Sequence, residues 1–142
     1  MPGRLARRTA LLASGLVLAA CMARPETPLP DGLAGTSWRA ETLAGEPVAD
    51  DTVVTMEFAG SDRIAGKAAC NRYNGPLRVE AGTLRIGPLA TTRMACPPPQ
   101  SEFETLFVAA VDQAQRLERD NSALVLIAEG QLPSRFVPFT AP

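Results

Sequence analysis

The sequence predicts an α+β domain that is mostly antiparallel β. It reads as a curled meander or cracked barrel of about seven or eight strands, interrupted by one amphipathic helix. Three observations carry this reading. Short segments alternate apolar and polar residues with a period of two. Turn signals containing Gly, Asp and Ser separate those segments at hairpin spacing. One segment alone, after three consecutive prolines, switches to helical spacing.

Each element follows in order. Leu33–Thr42 is a first strand centred on Trp38. In Thr52–Phe58, Val54, Met56 and Phe58 share one face, and Thr55 and Glu57 the other, as in a half-buried strand. Arg63–Cys70 repeats the alternation after a Gly60-Ser61-Asp62 turn. Leu77 and Val79 alternate with Arg78 and Glu80, and Leu84 and Ile86 flank Arg85 across an Ala81-Gly82 turn. Asn71 and Asn74-Gly75 suit a turn, because Asn caps nearby amides and Gly allows a positive φ. Pro97-Pro98-Pro99 then stops the sheet. Ser101 and Glu104 have the spacing of a capping box. Phe103, Leu106, Phe107, Ala110, Val111, Ala114 and Leu117 recur at helical spacing, so a helix is expected from about Glu102 to Gln115. Its apolar stripe would cover an open side of the sheet. Leu124–Ala128 is an apolar run typical of a fully buried strand. Phe136, Val137 and Phe139 form a last strand, with Pro138 arguing for an edge.

The chain has 142 residues, with 14 Lys+Arg, 15 Asp+Glu, three Cys and no His. One or at most two domains fit that length. Without His there is no Ser-His-Asp or Cys-His pair and no imidazole metal ligand. The near-neutral charge gives no support for nucleic-acid binding.

The N-terminus reads as an address. Met1–Arg8 carries Arg4, Arg7 and Arg8 without an acid, and Thr9–Ala20 is small and apolar. This is the pattern of a secretory signal, too short for a membrane-spanning helix. Leu18-Ala19-Ala20-Cys21 resembles the bacterial lipobox. The resemblance implies that residues 1–20 are removed and that Cys21 carries acyl chains, anchoring the protein in a membrane. Met22 in place of Asp implies the outer membrane, with the domain facing the periplasm. Removing the leader leaves a net charge of −4, which argues against an affinity for anionic lipid. Residues 21–32 then form a lipidated Cys and a Pro-rich tether reaching about 30 Å. The domain itself occupies residues 33–142.

Cys70 and Cys96 remain. In an oxidising compartment such a pair forms a disulfide, closing a loop worth roughly 3.5 kcal/mol by the chain-entropy formula. A reactive or metal-binding pair, or two free buried thiols, are the alternatives. A bridge would pin helix to sheet.

Three stretches resemble the META domain, the HslJ-like family. Leu33-Ala-Gly-Thr-Ser-Trp38 is similar to its LxGTxW opening, residues 66–75 (GKAACNRYNG) to its GxxGCNxYxG block, and residues 90–97 (ATTRMACP) to its TTxMACP block. The resemblance spans about Leu33 to Phe139. Ala69 departs from it, since the family has Gly there; a positive φ at this position would make Ala costly. The resemblance implies a compact antiparallel domain with one helix, in bacterial envelope lipoproteins loosely associated with stress and drug tolerance. It implies no catalytic residue and no cofactor.

Two readings of the paired blocks stand side by side. The cluster is either scaffold, with Thr91, Thr92 and Arg93 bonding back to the Asn turn, or a binding surface. The surface would comprise Asn71, Arg72, Tyr73, Thr92, Arg93 and Met94, since exposed Arg, Tyr and Met mark interface hot regions. Its partner would be an envelope protein, a peptide or a lipid. The expected function is a non-enzymatic, membrane-tethered binding or stress-related module of the envelope. The alternative is an inhibitor of a cell-wall hydrolase, for which an acidic surface suits a basic enzyme. Enzyme candidates are Asp50-Asp51, better explained as a solvated turn, a thiolate, and Ser101, which lacks an evident base.

Overall fold

The computed structural model describes residues 29–141. The leader, Cys21 and most of the tether lie outside the described residues. Ten strands and one helix follow in chain order: β1 (Ser37–Leu43), β2 (Glu46–Pro47), β3 (Thr55–Phe58), β4 (Arg63–Ala68), β5 (Asn71–Glu80), β6 (Thr83–Ile86), β7 (Ala90–Thr91), α1 (Gln100–Asp112), β8 (Ala114–Asp120), β9 (Ala123–Ala128) and β10 (Ser134–Pro138). Eight of the strands form one antiparallel path, β6-β5-β4-β3-β1-β10-β9-β8, with the short β2 and β7 attached to β1 and β5. The terminal strands β6 and β8 approach each other, so the sheet nearly closes into a barrel. This is the expected cracked barrel of about eight strands.

The period-two pattern is what builds it. Trp38, Ala40 and Leu43 point inward from β1, Met56 and Phe58 from β3, Ile64 and Ala68 from β4, and Leu124 and Leu126 from β9. The helix lowers Phe107, Ala110 and Val111 into the same core. Each fully buried Leu, Ile or Phe contributes about 1.5–3 kcal/mol of transfer free energy. Tyr73 on β5 stacks at a tilt on Phe107, with ring centroids 4.9 Å apart.

Four local expectations are corrected. The Asn71–Gly75 segment is not a turn but the first half of β5, in register with β4 from Ala68↔Asn71 to Ile64↔Gly75. Gly75 serves close packing: a Cβ there would lie 2.7 Å from Leu89 Cδ2. The turn comes earlier, where Ala69, at the departure from the family pattern, takes φ +57°.

The helix is also displaced. It runs Gln100–Asp112, and Ala114 and Leu117 belong to β8. Both side chains are buried, so their spacing fits either element until the β8–β9 pairing decides it. The capping box is absent. Pro99 occupies the N-cap without a side-chain bond, and Glu104 turns away to bond Asn71. Finally, β10 is not an edge strand; it lies between β1 and β9. Pro138 is tolerated because it is the last residue of the strand, opposite Trp38.

The N-terminal boundary moves slightly. Leu29 already packs against the core beside Phe58 and Leu77, so the end of the Pro-rich segment is held down.

Candidate functional site

The two blocks singled out in the sequence meet at one end of β5. Cys70, in the β4–β5 turn, is bridged to Cys96, in the loop before α1, with Cα atoms 6.2 Å apart. The expected disulfide is therefore present and pins the helix approach to the sheet.

Beside the bridge, Asn71 ties three segments together. Its Nδ2 donates to Glu104 Oε1 at 2.9 Å and Oε2 at 3.1 Å on α1, and to the Met94 carbonyl at 3.2 Å. Its Oδ1 accepts from the Met94 N–H at 2.7 Å and the Thr92 hydroxyl at 2.9 Å. Its backbone N–H donates to Glu104 Oε2 at 3.2 Å. The amide thus uses both its donor and its acceptor ends, and its oxygen/nitrogen orientation follows from these partners. Thr92 in turn accepts from the Arg72 N–H at 3.0 Å and returns its own N–H to the Arg72 carbonyl at 3.0 Å. The Thr-block therefore does bond back to the Asn-block, but to a strand.

The six residues proposed as a surface divide. Asn71 and Tyr73 are buried, whereas Arg72, Thr92, Arg93 and Met94 are exposed. Tyr73 belongs to the core because it alternates inward on β5. Its hydroxyl donates to the Thr55 carbonyl at 2.7 Å. Burial, helped by the charge of Glu57, pushes the phenol well above its ordinary range. Tyr73 thus adds nothing to an exposed surface.

A groove of about 550 Å³ opens between α1 and the bridged loop. Its lining combines the polar Asn71, Glu104 and Asp112 with the apolar Met94, Cys96, Val108 and Ala109. Met94 is 58% exposed and Val108 39%. The sequence reading had Glu104 as a capping residue and missed Val108 and Asp112. A signal for Glu104 was available: it lies three and seven residues before Phe107 and Val111, a carboxylate on the buried stripe of a helix. Buried stripes hold carboxylates only when these are bonded.

Of the enzyme candidates, Asp51 has side-chain partners. Asp51 Oδ1 accepts from Thr52 Oγ1 at 3.3 Å, and its Oδ2 from Gln100 Nε2 at 3.5 Å. Ser101 lines the groove. Its carbonyl accepts from Thr105 Oγ1 at 2.9 Å. Among the described residues, no group of three or more His, Cys, Asp or Glu could hold a metal ion, and no helix is long and apolar enough to cross a membrane.

Comparisons with known proteins agree with this geometry. The META domain family model matches residues 31–138. The heat shock protein HslJ of Escherichia coli (strain K12) is 29% identical over 124 residues, covering 86% of this chain and 89% of that protein. An NMR structure of a protein from Burkholderia xenovorans superposes with a TM-score of 0.63 at 23% identity, covering 98% of this chain and 99% of that one. A crystal structure of a duf4847 family protein from Bacteroides vulgatus ATCC 8482 gives a TM-score of 0.53 at 17% identity, over 78% of this chain and 96% of that one. These structures share the fold. With its family model matched along nearly the whole β-barrel and helix, the chain belongs to the META domain family.

Proposed function

We propose that this protein is a membrane-anchored envelope lipoprotein whose META domain is a non-enzymatic binding module. The α1 groove takes a peptide segment that combines an apolar side chain with a cation. The observation that carries this reading is the make-up of the groove. Its walls are exposed Met94 and Val108, and its polar groups are the carboxylates of Glu104 and Asp112. Met is a pliable contact residue suited to varied apolar anchors. Acidic groups beside an apolar wall favour Lys- or Arg-bearing segments.

Two further observations support it. Leu29 lies beside Leu77, whereas the groove begins at Asn71. At strand rise, these positions on β5 are about 20 Å apart. A domain tethered through Cys21 therefore carries its groove away from the point of attachment. The relative HslJ is named a heat shock protein. Damaged proteins expose apolar segments, so a groove with apolar walls suits a stress-linked role.

The experiment is affinity capture from envelope extract with wild type, Val108→Asp and Met94→Asp. Both positions are exposed, so the variants are expected to fold and to lose the captured partner. Capture no different from a matched control lipoprotein, or unchanged by both substitutions, overturns the reading. The intact mass of protein extracted from membranes tests the anchor: an unmodified Cys21 overturns it.

A further inference from the structure

The near-neutral net charge conceals a segregation of charges. Residues 63–93 carry six cations, Arg63, Lys67, Arg72, Arg78, Arg85 and Arg93, against one acid, Glu80, a net of +5. The other described residues, 29–62 and 94–141, carry four cations against thirteen acids, a net of −9. The low charge of the chain as a whole is therefore a poor guide to either surface.

The topology gathers the basic stretch onto one face. β4, β5 and β6 are neighbours in the sheet. Burial alternates along them, so Arg63, Lys67, Arg72, Arg78 and Arg85 all emerge on the outer side. The register sets Lys67 directly opposite Arg72, and Arg78 directly opposite Arg85. Like charges placed so are unfavourable to the sheet. Among the described residues, only Arg78 of these five has a carboxylate within ion-pair distance, that of Glu80 at 2.5 Å. Arg63 is held toward the middle of the face by Asn74, donating to its Oδ1 at 2.9 Å. Ala65, Gly66 and Ala90 leave a depression of about 460 Å³ there, edged by Arg72 and by one acid, Glu57. Cross-strand repulsion makes this arrangement no help to the fold, which suits a counter-charge supplied from outside it.

The path of the chain points to its source. Leu29 lies with Phe58, Gly60 and Leu77. The Leu77 N–H donates to the carbonyl of Asp62, the residue before Arg63. The chain therefore enters at the Arg63 end of the basic face. Eight residues, 21–28, can reach at most roughly 29 Å, and the face from Arg72 to Arg78 is about 20 Å long. Anchoring at Cys21 holds this face within one tether length of a bilayer. We propose that the outer face of β4–β6 rests on the anionic headgroups of the membrane in which Cys21 is anchored, an inference that builds on the lipoprotein reading above. The attraction acts within about one Debye length, roughly 8 Å in physiological salt, so it orients a tethered domain without replacing the anchor.

Lys67 is the only lysine in the chain and sits on this face directly opposite Arg72, at the end farther from the point where the chain enters. That makes it a built-in reporter. The full chain, extracted from membranes, is mixed with excess vesicles of phosphatidylcholine alone or with about one-third phosphatidylglycerol. Amine-specific acylation of Lys67 is then followed by peptide mass. The expected result is labelling about fivefold or more slower on the anionic vesicles, restored by about 0.5 M salt. In the double variant Arg72→Glu, Arg85→Glu the slowing should vanish while thermal unfolding stays near wild type, since both side chains are exposed. Equal rates on both vesicle types overturn the proposal. So does slowing by soluble polyglutamate without slowing by vesicles, which assigns the face to an acidic polymer instead. The mass of the Cys21 peptide separates the two readings. Unacylated Cys21 with protected Lys67 supports the face and removes the anchor. Acylated Cys21 with unprotected Lys67 keeps the anchor and removes the face.

Discussion

Replacing Asn71 with Ala strips the corner of the molecule of its central polar tie. The side chain makes contacts with Glu104, Met94 and Thr92, donating from Nδ2 and accepting at Oδ1. Neutral hydrogen bonds contribute about 1 kcal/mol net each, and those to a charged group about 1.5–3 kcal/mol. One charged and three neutral bonds give roughly 6 kcal/mol as a ceiling. The groove is open, so water restores part of this, and a loss of about 3 kcal/mol is expected. For a domain of this size that lowers Tm by about 12 °C. Urea unfolding of wild type, Asn71→Ala, Glu104→Ala and the double variant forms a cycle. A coupling of about 1–3 kcal/mol is expected for directly bonded partners. Asn71→Asp sharpens the test. It places a second carboxylate against Glu104, so the pair favours a protonated form in the folded state. The folded-state affinity for that proton then exceeds the unfolded one, and stability should fall as pH rises from about 4 to 7. A loss below about 1 kcal/mol in Asn71→Ala, or no such pH dependence in Asn71→Asp, refutes the view that this amide holds helix to sheet.

Three other outcomes are expected. Cys70→Ala with Cys96→Ala opens a loop of sequence separation 26 and should cost roughly 3.5 kcal/mol in denaturant titration. Ala69→Gly relieves a left-handed strain of about 1–2 kcal/mol but loses a buried methyl of about 0.8 kcal/mol and frees the unfolded chain, so stability should stay within about 1 kcal/mol of wild type. Tyr73 is the only tyrosine, so absorbance at 295 nm reads it alone. Its raised folded-state value means the unfolded chain loses the proton first, so stability should decline once pH passes about 10. Phenolate absorbance should then appear only with cooperative unfolding; a non-cooperative titration near the ordinary value contradicts the burial.

Much of the barrel was legible because its strands are half-buried. Met56, Phe58, Ile64 and Leu84 announce an inward face by alternation alone. Legibility failed where one pattern served two structures. Ala114 and Leu117 satisfy helical spacing from α1, yet pairing of β8 with β9 claims them. Asn74-Gly75 has the composition of a turn, but the close approach of Leu89 explains the Gly. Pro138 reads as an edge because sequence does not reveal that it terminates a central strand. At the site, the cysteines and the Asn and Thr blocks were visible as motifs. The pairing of Asn71 with Glu104 was not, because the partners are 33 residues apart and meet only after the helix has docked. The basic face was hidden for a related reason. A summed charge has no geometry, and only the strand register sets Lys67 beside Arg72 and Arg78 beside Arg85.

The placement of β10 between β1 and β9 has a consequence for biogenesis. Trp38 cannot meet its neighbour at Pro138 until all the residues between them have emerged. A ribosome or translocation channel releases residues from the N-terminus onward, so β1 must wait with one side unpaired. Truncated products would expose that strand to proteases and aggregation. Synthesis through β10 is thereby a quality check, because that strand joins the two flanks of the sheet.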